Sequence, residues 1–328
     1  MAVLVTGGAG YIGSHTVLEL IARGEEVVIV DSLETGHRGA VLGGTLEIGD
    51  IRNKAFLQEV FTKHAIDAVI HFAAYSLVGE SMTNPGKYYD NNVHGTLVLL
   101  EAMQEHGVKH IVFSSTAATY GEPERTPILE SDRTNPTSVY GETKLAMEKM
   151  MSCFDQSYGI HYAALRYFNA AGAHENGLIG EDHRPESHLV PLVLQTALGK
   201  RAEIAVFGSD YPTSDGTCIR DYIHVSDLAD AHVLALQYLR QGGTSDVFNL
   251  GNGTGFSVLE VIKTAESVVG KPISTVMKER RAGDPAVLIA SADKAKQVLG
   301  WLPKRDQLAQ IVESAWRWHS SRPNGYSD

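Results

Sequence analysis

The chain is predicted to be an α/β protein, with a Rossmann-type doubly wound parallel sheet followed by a smaller C-terminal α/β substrate lobe. Three observations carry that expectation. Short apolar runs alternate with stretches of helical period through the first half. A glycine-rich turn separates the first apolar run from the first helical stretch. After residue 168 the texture changes, as glycine, proline and histidine gather through residues 170–191.

The elements follow in order. Apolar runs at residues 2–6, 26–30, 45–48, 68–72 and 110–114 are strand-sized and read as buried parallel strands, with a further one at 162–167. Between them, residues 13–22, 54–63, 88–106 and 139–158 have helical periodicity. Strand–helix–strand order with short connections builds a parallel sheet covered on both faces. Ligands then sit beyond the carboxyl ends of the strands, where strand order reverses. Residues 1–168 are read as the first domain. Residues 169–328 are read as the lobe, in which helices at 226–241, 257–269 and 304–319 alternate with short strands. Within it, residues 220–241 are regular enough to return and pack on the first domain.

Composition narrows the function classes. With 28 Lys and Arg against 39 Asp and Glu, the formal net charge of −11 argues against a nucleic-acid partner, which requires a basic face. A small anionic ligand is still admissible, because backbone N–H groups and two or three arginines suffice to hold a pyrophosphate. No apolar run approaches the roughly 20 residues of a membrane span. The chain opens directly into a strand without the basic region of a secretory signal, so a cytoplasmic location is expected. Cys153 and Cys218 lie far apart and read as free thiols. Among 14 histidines, His224 and His232 are too widely spaced for one helical metal face, and no metal is expected.

Thr6-Gly7-Gly8-Ala9-Gly10-Tyr11-Ile12-Gly13 follows a strand and opens a helix. Its glycines at positions 7, 10 and 13 suit a tight turn, backbone approach to a pyrophosphate and close helix–strand packing. Asp31, about 20 residues on, ends the second strand where a carboxylate meets adenosine ribose hydroxyls, which favours NAD over NADP. Asp50 and Ile51 after the third strand are expected near adenine. Phe72, Ala73 and Ala74 after the fourth leave room for close approach of the ligand.

Tyr140 and Lys144 stand four apart on a predicted helix and share a face. A free tyrosine titrates near pH ~10, too high for a base at neutral pH. A nearby ammonium and an oxidised nicotinamide both favour the phenolate. The Ser114-Ser115-Thr116 run ends the fifth strand at the mouth of the cleft, where a hydroxyl can meet the same substrate oxygen.

These residues also carry a family resemblance. TGGAGYIG, SSTAATYG, YGETK and RYFNAAG resemble the extended short-chain dehydrogenase/reductase family, and the match is nearest its UDP-glucose 4-epimerases. RDYIHVSDLADAH, NLGNGTGFSV and RRAGDP are similar to the same subgroup, so the resemblance covers essentially the whole chain. It implies interconversion of UDP-glucose and UDP-galactose by inversion at C4 through a 4-keto sugar, on tightly bound NAD. Tyr140 would move the 4-OH proton, Lys144 bind the nicotinamide ribose, and Thr116 orient the 4-OH. The resemblance places Asn91, Ser114 and Phe168 near the cofactor and Asn169 toward the sugar. It places His188, Leu189, Ala205 and Phe207 at the uridine, Arg220 and Arg281 at the diphosphate, and Asp284 at the uridine ribose. It also implies a homodimer, joined through the helices at 88–106 and 139–158.

Three positions depart from the family pattern. Ser76 stands where many relatives have a lysine that meets the cofactor pyrophosphate. His188 replaces a common asparagine, and Leu288 falls where some members close the sugar pocket with tyrosine. The last suggests that N-acetylated UDP-hexosamines also fit. A 4,6-dehydratase shares the fold but needs an Asp-Glu pair after the Ser/Thr; Ala117-Ala118 cannot transfer protons. A non-enzymatic NAD-sensing protein has no use for Thr116, Tyr140 and Lys144 together.

Overall fold

The computed structural model describes residues 1–281 and 284–327. In the first half, β1 (Ala2–Thr6), β2 (Glu26–Asp31), β3 (Thr45–Ile48), β4 (Ile66–His71), β5 (His110–Ser114) and β6 (His161–Arg166) succeed one another. The intervening helices are α1 (Tyr11–Ala22), α2 (Lys54–Lys63), the short α3 (Val78–Thr83) and α4 (Pro85–Tyr88), α5 (Gly95–Glu105) and α6 (Val139–Tyr158). A π turn, Tyr89–His94, joins α4 to α5, so residues 88–106 are not the regular helix their periodicity predicts. The turn carries a buried asparagine. Asn92 accepts from the backbone N–H of Tyr75 and donates to its carbonyl and to Thr143, tying the loop after β4 to α6.

Beyond β6 come β7 (Asn169–Ala171), α7 (Leu189–Ala197), β8 (Ile204–Phe207), β9 (Ile219–Arg220), β10 (Tyr222–His224) and α8 (Val225–Arg240). Then follow β11 (Asp246–Asn249), β12 (Phe256–Ser257), α9 (Val258–Val269), β13 (Thr275–Lys278), β14 (Val287–Leu288) and α10 (Leu308–Ser321). Seven strands form one sheet in the order β11-β6-β5-β4-β1-β2-β3, and every pairing is parallel. The doubly wound Rossmann-type sheet is therefore as expected. Its edge strand β11 is not, because it comes from chain that the sequence reading gave wholly to the lobe.

Each face of the sheet has its own core. Alternation in β1 sends Val3 and Val5 to one side and Ala2 and Leu4 to the other. The first side buries Val17 and Leu20 of α1 with Leu228 and Leu236 of α8, and α8 lies along α1. The second buries Leu57 of α2, Leu99 of α5 and Met147 of α6. A third core joins α7, α9 and α10 through Val193, Val261 and Ile311, with the parallel pair β8–β13 beside it. Strand order reverses between β1 and β4, and the principal cleft opens above that point. Among the described residues no helix is long and apolar enough to cross a membrane.

Candidate active site

The cleft has a volume of about 1050 Å³ and runs from the glycine turn after β1, past the ends of β4 and β5, to β9 and β14. At one end the chain passes from β1 into α1 through Gly7, whose φ of +72° favours glycine and whose added Cβ would sit 2.6 Å from the Ala73 nitrogen. At Gly13 a Cβ would lie 2.2 Å from the Gly7 carbonyl oxygen, so the helix packs this closely only on glycine. The N-terminus of α1 has no side-chain cap and no acidic residue in its first turn, which leaves its N–H groups and positive dipole end to an anion. Tyr11 turns its hydroxyl away, donating to the Gly172 carbonyl at 2.6 Å. Ile12 packs on the core beneath.

Asp31 ends β2 at the cleft wall. Its two oxygens accept from Ala9 N and Leu33 N, both at 2.9 Å, and burial raises its pKa. Each oxygen keeps acceptor capacity for a ligand hydroxyl. Asp50 is already engaged by Arg52, whose Nε donates to its oxygens at 3.0 and 3.1 Å; the guanidinium holds this carboxyl below its ordinary value. Ile51 is buried beside it, and Phe72, Ala73, Ala74 and Asn91 line the cleft floor. An open glycine cradle, an uncapped helix terminus and a ribose-height carboxylate together fit the pyrophosphate and ribose of NAD.

The catalytic candidates meet where β5 ends. Ser138 caps α6 by accepting from Gly141 N at 3.1 Å, and Gly159 closes the helix in the left-handed conformation. Tyr140 and Lys144 therefore stand on the first turns of a firmly begun helix. Lys144 is buried, donates to the Ser114 carbonyl at 2.7 Å and lies 5.9 Å from the centre of the Tyr140 ring. Burial lowers its pKa to about 7, with Glu148 opposing. Burial also pushes the Tyr140 phenol up to about 12, while a hydrogen bond with Thr116 works the other way. Thr116 Oγ1 accepts from Ala118 N at 3.1 Å, so its own hydrogen is left to donate into the cleft. Ser114 Oγ is shared with the Tyr167 hydroxyl at 2.6 Å. Ser115 points the opposite way, donating to Glu148, which also binds Arg166 in a buried pair.

Toward the other end, Asn169 Nδ2 donates to the Asp221 carbonyl at 2.9 Å. Phe168 and Leu288 pack on the small cluster of Ala117, Tyr120 and Ile128, directly behind the Thr116 turn. Arg220 and Asp284, predicted to meet different parts of a ligand, form an ion pair with each other. The Arg281 guanidinium lies 4.0 Å over the ring of Phe207. His188, Arg220, Arg281 and Leu288 line the cleft, whereas Leu189, Ala205, Phe207 and Asp284 do not. Ala282 and Gly283 of the RRAGDP motif lie outside the described residues.

Three features escaped the sequence reading. Lys87 brings an ammonium to the cleft, 4.1 Å over the Tyr75 ring, near exposed Ser76. Asp221 is buried, accepts from Asn252 N and Ala290 N, and is raised to about 6 by burial. Glu181, His183, Glu186 and His188 converge at the rim. Burial disfavours charge on both imidazoles, but the two carboxylates raise His183 to about 9 and His188 to about 10. A doubled Glu-x-His pattern was the available signal. His224 and His232 serve the fold instead: His224 caps α8 by accepting from Ser226 N, and His232 is buried against Phe72.

Residues 3–251 match the model of the NAD dependent epimerase/dehydratase family. The chain is also 61% identical over 327 residues to UDP-glucose 4-epimerase of Halalkalibacterium halodurans, covering 100% of this chain and 98% of that protein. The chain belongs to the UDP-glucose 4-epimerase family. Among solved structures, one UDP-glucose 4-epimerase is 56% identical, with a TM-score of 0.99 and full coverage of both chains. Another, from Bifidobacterium longum in complex with NAD+ and UDP, is 42% identical, with a TM-score of 0.92 over 99% of this chain and 100% of that one. The family, the Rossmann-type fold and NAD dependence predicted from the sequence are thus borne out, and the epimerase reading stands above the dehydratase and sensor alternatives.

Proposed function

We propose that the chain interconverts UDP-glucose and UDP-galactose by inverting C4 of the hexose through a transient 4-keto sugar. The observation that carries this reading is the meeting of Thr116, Tyr140 and Lys144 at the end of β5, in the cleft that begins at the glycine turn. Bound in that cleft, NAD supplies a reversible hydride acceptor for C4. The glycine turn and the α1 N-terminus hold its pyrophosphate, Asp31 its adenosine ribose, and Lys144 its nicotinamide ribose. Tyr140 takes the 4-OH proton at its phenol oxygen and returns it. Thr116 donates to the same sugar oxygen and fixes its orientation. A protonated Lys144 and the positive charge that an oxidised nicotinamide ring would supply both favour the Tyr140 phenolate.

UDP is the anchored end of the substrate. Arg220 and Arg281 serve the diphosphate as charge-assisted donors. Arg220 is paired with Asp284, so a bound diphosphate would compete with that carboxylate for the guanidinium. Firm anchoring of UDP leaves the sugar loose enough to present either face. Residues 1–168 with β11 form the cofactor half in this reading, and most of 169–328 the UDP-sugar half, in a cytoplasmic enzyme.

The test uses purified protein, UDP-galactose and no added NAD. UDP-glucose is the expected product. A 4-keto-6-deoxy sugar would assign a dehydratase, and absence of turnover with NAD still bound would assign a sensor. We also propose a homodimer built on α5 and α6, whose outer surfaces expose Leu97 and Tyr158. Light scattering at twice the chain mass supports it; the mass of one chain removes it.

A further inference from the structure

Of the four residues of the rim cluster, only His188 has a place in the proposed substrate site; Glu181, His183 and Glu186 have none. Two Glu-x-His repeats, Glu181-Asp182-His183 and Glu186-Ser187-His188, occupy the loop between β7 and α7, and His188 is the residue from which α7 starts. One donor atom from each Glu and His lies within 4.8 Å of all the others. His188 Nδ1 is 2.9 Å from Glu181 Oε1 and 3.0 Å from Glu186 Oε1. His183 Nδ1 is 3.2 Å from Glu181 Oε1 and 3.6 Å from Glu186 Oε2. A tetrahedral ion with bonds of about 2.0 Å sets its ligands about 3.3 Å apart, and the separations, taken over both Glu186 oxygens, fall on either side of that edge.

Hydrogen bonding accounts for only part of the arrangement, the His188 Nδ1–Glu186 Oε1 contact at 3.0 Å. Glu181 Oε1 and His183 Nδ1 are buried without a partner of hydrogen-bonding geometry, and the Glu181 side chain is only 3% exposed. Such a buried, unsatisfied oxygen calls for an explanation, and an ion is one. The loop is braced from outside the cluster. Trp318 Nε1 donates to the Glu181 carbonyl at 3.1 Å, and Asp182 turns away to accept from Tyr326 N at 3.0 Å. Glu186 Oε1 is aimed by the backbone N–H groups of Ser187 (2.7 Å) and His188 (2.8 Å). Outer contacts of this kind orient metal ligands.

We propose that Glu181, His183, Glu186 and His188 bind one divalent transition cation of the zinc class. Two imidazole nitrogens with two carboxylate oxygens suit zinc and its neighbours, and disfavour magnesium and calcium, which take oxygen shells. Two carboxylates balance the charge of the dication, and both imidazoles ligate in the neutral form through Nδ1. The ion pins the loop that leads into α7 and forms part of the cleft rim.

The experiment uses the full-length, tag-free protein with its cofactor bound, treated with chelator, dialysed, and then given Co²⁺ as a spectroscopic probe. One Co²⁺ per chain with visible tetrahedral bands, displaced by Zn²⁺, is expected. His183→Gln and Glu186→Gln should each abolish stoichiometric retention. Crystals soaked in Zn²⁺ should give an anomalous-difference peak about 2 Å from the four donor atoms, which decides the matter even if the variants misfold. Failure of the wild-type protein to retain Co²⁺, unchanged binding in both variants, or a zinc peak elsewhere overturns the proposal.

Discussion

The Tyr140–Lys144 end of the cleft and its rim bury ionisable groups equally deeply, with Lys144 and the Glu181 side chain each 3% exposed, yet the first favours neutral forms and the second charged ones. Lys144 meets a backbone carbonyl, and its nearest carboxylate, Glu148, is already held by Arg166. Burial therefore acts nearly alone, pulling Lys144 down to about 7 and pushing Tyr140 up to about 12. At the rim, carboxylates stand beside imidazoles and outweigh burial, raising His183 to about 9 and His188 to about 10. Opposite charges gathered in one loop dominate the electrostatics of that region. Groups desolvated without an opposite charge beside them are biased toward their neutral forms, a perturbation of the kind that gathers at functional sites.

The most severe way to break this contrast is Tyr140→Phe. Turnover should fall by roughly 10²–10⁴-fold, the usual contribution of a positioned acid–base group. Circular dichroism and bound NAD should stay unchanged. Near-normal activity would end the proposed role.

Lys144→Met is expected to cost about 10²-fold in turnover, since the phenol loses its nearby ammonium. It also isolates the burial effect. In the cofactor-stripped chain Lys144 titrates near 7, against about 10.5 when unfolded, so the unfolded chain binds the extra proton between those values. For this residue stability then rises with pH across that window, and carrying its charge is a full cost below pH 7. Urea midpoints of variant and wild type should therefore differ in favour of the variant at pH 6, and the advantage should shrink toward pH 10. The reverse trend would show that Lys144 is charged and paired in the bare site.

What was legible from sequence divides along the same line. The glycine turn could be read because its backbone leaves no room for a Cβ at Gly7 or Gly13, a local constraint written in residue type. Tyr140 and Lys144 could be read because helical spacing alone puts them on one face. Long-range pairing was opaque. Four residues, Asp246–Asn249, join the sheet beside Ala163–Arg166, and nothing in so short a run names its partner. The π turn at Tyr89–His94 rests on Asn92 reaching Tyr75 and Thr143, contacts that periodicity does not report. Arg220 and Asp284 carry the charges expected of ligand contacts, but only the fold brings them against each other. The two Glu-x-His repeats were visible as letters; their convergence depends on a loop path that no spacing rule sets.

The smallest predicted effect concerns substrate choice and sharpens the contrast at the sugar end. Leu288 is in register with Arg220 across β14 and β9, and packs with Phe168 on the apolar cluster behind Thr116. It has no charge to contribute, so any influence it exerts is through volume. Replacing it with tyrosine adds a ring at the cleft wall while leaving Thr116, Tyr140 and Lys144 untouched. A group as large as the N-acetyl substituent then competes for that space, whereas a 2-hydroxyl does not. Turnover of UDP-N-acetylgalactosamine by Leu288→Tyr should drop by roughly 10-fold or more relative to UDP-galactose, the scale of steric discrimination in an apolar pocket. If the ratio of kcat/KM for the two substrates does not move, Leu288 faces no part of the sugar, and the limit on substituent size lies elsewhere in the cleft.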